Sequence, residues 1–323
     1  MASFFCFIPS CLPLLLYQKS PYFYRYILSI HSNCSTCMQN AFIELAKTGK
    51  NNLWLYLAGF SLVLVLGLIF SAPVIFVTNP ITEKPSVAAH WYLSVALLQF
   101  IGVMLALWIA IRFIHQRSFS SLISSFPDIR WKRMLLSAGI WIGLSFLVEI
   151  GLCLLFPEMY HYSLHWKEFL PAFVVGVLMI PIQSSAEELL FRGYLLQGIG
   201  NRNPWLGVAV SSILFGLAHS ANPEIEKVGL VWGLSYYTCF GLFAALLTLW
   251  DKGLELAMGV HAANNIYSFL IVSYPDSVLP SPSIFSLSEL NFPLMIAGWM
   301  VTVCLYLLVM KRVGKLEIRQ HIS

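Results

Sequence analysis

Eight apolar stretches follow one another along this chain, at roughly 53–77, 91–114, 134–156, 170–199, 205–220, 228–250, 254–273 and 293–310. Most are long enough to cross a hydrocarbon layer about 30 Å thick at about 1.5 Å per helical residue. The fifth is short, and the fourth is long enough to begin in the interface and tilt. Hydrocarbon offers no water to satisfy a peptide group, so stretches of this kind fold as helices. The expected fold class is therefore all-α: a polytopic integral membrane protein with about eight transmembrane helices. Composition agrees, since 58% of the residues are hydrophobic and 11% are charged, against about 25% charged in a soluble domain. The net charge of +4 is not gathered into a basic block, so nucleic acid is not an expected partner.

The chain divides into an N-terminal cytoplasmic segment (1–52), the first three transmembrane helices (53–169), a central core (170–273), and a loop, last helix and basic tail (274–323). Residues 1–37 differ from the rest. The apolar run from Phe4 to Tyr17 is short and broken by Pro9 and Pro13, and no acid precedes Glu44. Met38 opens a run that reads as a cytoplasmic start, so 1–37 is expected to be an over-extended start or a targeting peptide. Cys34 and Cys37 have CxxC spacing with no second pair, which is weak as a metal or redox signal. Cys153, Cys239 and Cys304 lie in apolar segments and are expected to be small buried thiols.

Basic residues set the orientation. Lys47, Lys50, Arg112, Arg117, Arg130, Lys132, Arg133, Arg202, Lys252, Lys311, Arg312, Lys315 and Arg319 fall on one side, and only Lys84, Lys167 and Lys227 on the other. The positive-inside rule then places both termini in the cytoplasm. Trp91, Trp131 and Trp205 near segment ends fit an interfacial belt. The Ser- and Pro-rich stretch 274–292 is expected to be a mobile cover. Glu149 stands alone in its segment and is expected to have a partner on another helix. His161 and His165 lie in an external loop and are not expected to hold metal.

Three polar clusters interrupt the central apolar segments: Glu187-Glu188-Leu-Leu-Phe-Arg192, Phe215-Gly-Leu-Ala-His219 and His261-Ala-Ala-Asn264-Asn265. A charge there costs about 2.5–3.5 kcal/mol on insertion scales, so such groups are functional candidates. Glu188 and Arg192, four apart on one helical face, can pair. Glu187 is rotated about 100° away and can act without the Arg. A desolvated carboxylate without a cation suits a general base. His261 and Asn265 share a face and can offer two donors to a developing oxyanion. Asn264 points elsewhere and reads as structural. Counting from segment ends puts Glu187 about 18 Å, His219 about 21 Å and His261 about 10 Å from the cytoplasmic surface.

The clusters match EExxxR, FxxxH and HxxxN. Together they resemble the motifs of the CPBP family, the CAAX-protease and bacteriocin-processing intramembrane proteases related to the eukaryotic CAAX endoprotease. The resemblance covers roughly 170–273. It implies that Glu187 activates water with help from His219, that His261 and Asn265 stabilise the oxyanion, and that Glu188 and Arg192 form a supporting ion pair. The implied function is an intramembrane endopeptidase acting on a membrane-embedded or lipid-anchored protein or peptide in the bilayer. The chain has no HExxH motif. Metal-free water activation is the expectation, with no cofactor. Zinc held by Glu187, His219 and His261 is the alternative, which would make the enzyme a metalloendopeptidase. Two other functions stay open: a proton-coupled transporter, whose buried Glu and His would relay protons, and a non-catalytic immunity or binding protein in the membrane.

Overall fold

The computed structural model describes residues 40–82, 85–274, 277 and 281–313. The Cys34–Cys37 pair, the Met38 start and the tail basics Lys315 and Arg319 lie outside these residues.

Among the described residues, eight longer helices build the protein, at about the places where the apolar stretches begin and end. Six are long and apolar enough to cross a membrane: α1 (Leu53–Val77), α2 (Ala89–Ile114), α3 (Trp131–Leu155), α4 (Trp166–Gly200), α6 (Leu230–Asp251) and α8 (Phe292–Arg312). Two are shorter, α5 (Pro204–Ala218) and α7 (Glu255–Leu270). Asparagine opens α1, α5 and α8. The side chains of Asn52, Asn203 and Asn291 accept from the backbone N–H of Trp54, Leu206 and Leu294, which satisfies an otherwise orphaned donor in the first turn. Proline adds to the signal in α5 and α8, where its missing N–H removes nothing from the helix.

Burial runs opposite to that of a soluble protein. Leu68, Leu154 and Val231 on the long helices are 71%, 78% and 76% exposed. In water such apolar faces would drive aggregation; facing lipid, they are the expected solvent contact. Trp91, Trp131 and Trp205 are also exposed, close to the starts of their helices. Cys239 and Cys304 are exposed and Cys153 is half-buried, contrary to the expectation of buried thiols. An apolar helix surface facing lipid accepts a thiol as readily as the core does.

The centre is α7. It packs on α3, α4 and α6, while α1 packs on α2, α8 on α3 and α5 on α6. Its contact with α3 is a backbone approach: a Cβ on Gly259 would lie 2.4 Å from the Met134 carbonyl oxygen. The turn between α6 and α7 is not a surface loop. Asp251 and Glu255 are 4% and 0% exposed. Arg130 donates 2.8 Å bonds to both carboxylates, and Arg133 also pairs with Asp251. Two arginines that read as topological charges thus neutralise a buried acidic turn.

One small sheet is the exception to helix among the described residues. Strand β1 (Tyr160–Tyr162) pairs antiparallel with β3 (Phe285–Leu287), and β2 (Val272–Ser273) pairs parallel with β3. The stretch expected to be a mobile cover is therefore tied at 285–287 to two other segments. Glu149 finds its partner in the strand after its own helix rather than on another helix: it accepts from the Tyr160 hydroxyl at 2.5 Å. His161 bonds Ser288 at 2.8 Å.

Candidate functional site

The three sequence clusters line one cavity of about 700 Å³, together with residues from α3, α6 and α8. Helix α4 carries most of the charge. Glu188 and Arg192 are both fully buried and pair at 3.0 Å. The ion pair sits where the helix widens into π-type turns over Leu189–Leu195, a feature that recurs at functional sites. Glu188 Oε1 also accepts from His261 Nδ1 at 2.7 Å. The guanidinium is further held by the Gly241 carbonyl at 3.3 Å, and lies 4.2 Å from the centre of the Phe215 ring, within cation–π range.

Glu187 has a different environment on each oxygen. Oε1 accepts from Gln183 Nε2 at 2.7 Å. Oε2 makes no hydrogen bond and lies 3.5 Å from His261 Nε2. Adjacent glutamates thus divide as the 100° helical offset requires: one faces the arginine, the other faces the cavity.

His261 lies between the two carboxylates. Phe240 and Phe215 pack edge-on against it, at 5.0 and 5.8 Å. The axial offset of about 8 Å expected between Glu187 and His261 is absent. The expectation placed the α6–α7 turn at the surface, whereas α7 begins inside the protein at buried Glu255. Asn265, one turn later, donates Nδ2 to Gln183 Oε1 at 3.1 Å and accepts from Asn264 at 3.3 Å.

His219 caps the C-terminal end of α5. Its Nδ1 lies 2.7 Å from the Phe215 carbonyl, which makes Nδ1 the protonated nitrogen and leaves Nε2 for another partner. The ring stacks on Tyr237 at 4.2 Å, with 18° between planes. His219 lines the cavity but hydrogen-bonds neither Glu187 nor His261 among the described residues.

Two participants escaped the sequence reading. Gln183 joins Glu187 to Asn265 and is 7% exposed. Its signal was its position, one turn before Glu187 on the same face of a largely apolar helix. Glu224 lies in the short helix Pro223–Val228 and is also buried. It accepts from Asn222 at 3.0 Å and from the Tyr237 hydroxyl. This ties the stacking partner of His219 in place, a contact that only the return of α6 could create.

Residues 166–267 match the family model described as "Type II CAAX prenyl endopeptidase Rce1-like". This part of the chain is similar to that family. The match spans Glu187, Glu188, Arg192, His219, His261 and Asn265, and agrees with the resemblance read from the motifs. The similarity is thus to a family of CAAX-protease-type peptidases. The chain is also 29% identical over 271 residues to "Uncharacterized protein YyaK" of Bacillus subtilis (strain 168), covering 78% of this chain and 89% of that one. No solved structure matches.

For zinc, the donor types in this core are suitable. Each imidazole has Nδ1 engaged, as metal-binding histidines do. Geometrically, however, no three His, Cys, Asp or Glu side chains are gathered to ligand spacing among the described residues.

Proposed function

We propose that this chain is an intramembrane endopeptidase that cleaves membrane-embedded or lipid-anchored proteins or peptides with water activated at Glu187. The observation that carries the reading is the contrast between the two glutamates. Each carboxylate keeps one buried oxygen without a hydrogen bond, but Glu188 is paired with Arg192 and His261 and does not line the cavity, whereas Glu187 has no arginine partner and lines it beside His261. A carboxylate held through Oε1 and left without a partner at Oε2 can accept a proton from water that enters the cavity.

Glu187 takes that proton and the hydroxide attacks the scissile carbonyl. The oxyanion forms within reach of His261 Nε2 and the Asn265 carboxamide. Glu188 occupies the Nδ1 proton of His261, so donation from Nε2 requires the doubly protonated ring. Asn265 gives one N–H to Gln183 and keeps the second for the oxyanion. Glu188 and Arg192 hold His261 in orientation. His219 assists from the cavity wall, stacked on Tyr237. The proton then passes from Glu187 to the leaving amine. We read the activation as metal-free and both chain termini as cytoplasmic.

The test is a comparison of new protein termini in membranes containing wild-type protein or Glu187→Gln. The amide preserves shape and the Gln183 contact region but cannot accept the proton. Termini that vanish with Glu187→Gln at equal expression support the reading. Identical termini, or full activity of the purified variant, refute Glu187 as base.

A further inference from the structure

A second cavity, of about 860 Å³, lies away from the motif residues, where α2 ends and the chain turns toward α3. Its lining is chemically one-sided. Arg112 and Arg117 are its ionisable groups, no carboxylate lines it, and Ser118, Ser120, Ser121 and Thr48 contribute hydroxyls. Trp108 and Phe119 supply an apolar wall.

Arg117 is the unusual member. It is 4% exposed, and among the described residues no carboxylate pairs with it. Nη1 is fully used, donating to the Leu45 carbonyl at 3.1 Å and to Gln197 Oε1 at 2.8 Å. Gln197 is itself fixed, donating to the Ser121 carbonyl at 2.8 Å. Nε and Nη2 are buried and make no hydrogen bond. Those two nitrogens form one edge of the guanidinium, whose parallel N–H groups match two oxygens of a single anion. The protein thus anchors this arginine by one nitrogen and leaves its bidentate edge buried without a partner, on a residue that lines a pocket without acids.

A carboxylate would satisfy that edge. Thr48 and Ser121 already donate to backbone carbonyls, but the bonded Ser118–Ser120 pair keeps one hydroxyl proton and Arg112 adds a second guanidinium, so the lining provides for more oxygens than a carboxylate has, whereas a phosphate has enough for both. Arg112 lies in the last turn of a spanning helix and Arg117 three residues beyond it. Lipid headgroups meet protein at this level, and basic pockets between helices bind them.

We propose that this pocket is a binding site for a phosphate group, carried by an anionic lipid or present in solution, with Arg117 as its bidentate anchor and Arg112 as its second charge. The site is independent of the catalytic reading.

Purified full-length protein in neutral detergent tests it. Thermal unfolding and native mass spectrometry are compared with added phosphatidylglycerol, phosphatidylcholine, inorganic phosphate, or chloride at matched ionic strength. One tightly retained phosphatidylglycerol that raises the melting temperature, with no effect of inorganic phosphate, identifies a headgroup site. Stabilisation by inorganic phosphate beyond the chloride control identifies a site for phosphate in solution. In either case Arg112→Gln, an exposed position, weakens binding about tenfold, the loss of about one charge-assisted contact. Arg117→Lys, which keeps the charge and loses the fork, weakens it at least as much in protein that remains folded by circular dichroism. No stabilisation by either probe, or unchanged affinity in both variants, overturns the proposal.

Discussion

Replacing Glu188 by Ala tests the ion pair that underlies the site. The side chain is fully buried, and its Oε1 accepts from both Arg192 Nη1 at 3.0 Å and His261 Nδ1 at 2.7 Å. Its removal leaves Arg192 fully buried, with the Gly241 carbonyl at 3.3 Å and the rings of Phe215 at 4.2 Å and Phe191 at 5.9 Å as neighbours. Breaking a buried pair in this way costs about 3–5 kcal/mol. The Phe215 ring already interacts with the cation in the intact protein, so it does not compensate for the loss. His261 also loses the acceptor for its Nδ1 proton, and an unsatisfied buried donor costs about 1–3 kcal/mol. These costs overlap, because both nitrogens share one oxygen, and a total of about 3–5 kcal/mol is expected. The assay is denaturant unfolding in a fixed detergent, followed by tryptophan fluorescence. The control is Glu188→Ala combined with Arg192→Met. Removing both charges eliminates the orphaned guanidinium and recovers at least half of the loss, since apolar replacement of a whole buried pair is close to neutral. Two results would refute this reasoning: Glu188→Ala within about 0.5 kcal/mol of wild type, or a double variant no more stable than the single one.

Asn265→Ala lowers kcat by about 100- to 1000-fold with little change in KM if the carboxamide stabilises the oxyanion; normal turnover per folded molecule removes it from that role. Exhaustive chelation leaves peptidase activity in place, and elemental analysis finds no stoichiometric zinc; loss of activity restored by one zinc per chain overturns metal-free activation. Stability rises from acid toward neutral pH through His115, which lies just beyond α2. Burial lowers its pKa, only partly offset by the bond to the Lys50 carbonyl, and nearby Arg117 lowers it further. The folded protein therefore binds the proton less well than the unfolded chain. Its contribution is complete above the unfolded value of about 6.5 and is lost as pH falls through the lower folded value. His115→Gln flattens the unfolding midpoint over that range, and an unchanged slope counts against the assignment.

Six of the eight expected spans stand as membrane-length helices, with α5 and α7 shorter, and the six were legible in the sequence because transfer of an apolar segment into hydrocarbon is a local quantity. It sums along the chain and needs no knowledge of neighbours. The Glu188–Arg192 pair was legible for the same reason, since four residues along a helix fix proximity before any packing. The opposite facing of Glu187 followed from helical rotation alone. What lies between helices was not legible. His261 and Asn265 share a face as their spacing requires, but their partners Glu188 and Gln183 are 73 and 82 residues away. Those partners depend on how α7 is rotated against α4. The depth of His261 depends on the burial of Asp251 and Glu255 beneath Arg130, and the sequence shows these only as charges near a turn. The open edge of Arg117 is similar: in the chain it is one basic residue among several after a span. Its partner Gln197 arrives from α4, 80 residues later. Hydropathy and spacing specify which segments enter the membrane and which side chains share a helical face. Only the packing of those faces decides which polar groups find partners and which are left facing a cavity, because that choice is made between segments distant in sequence.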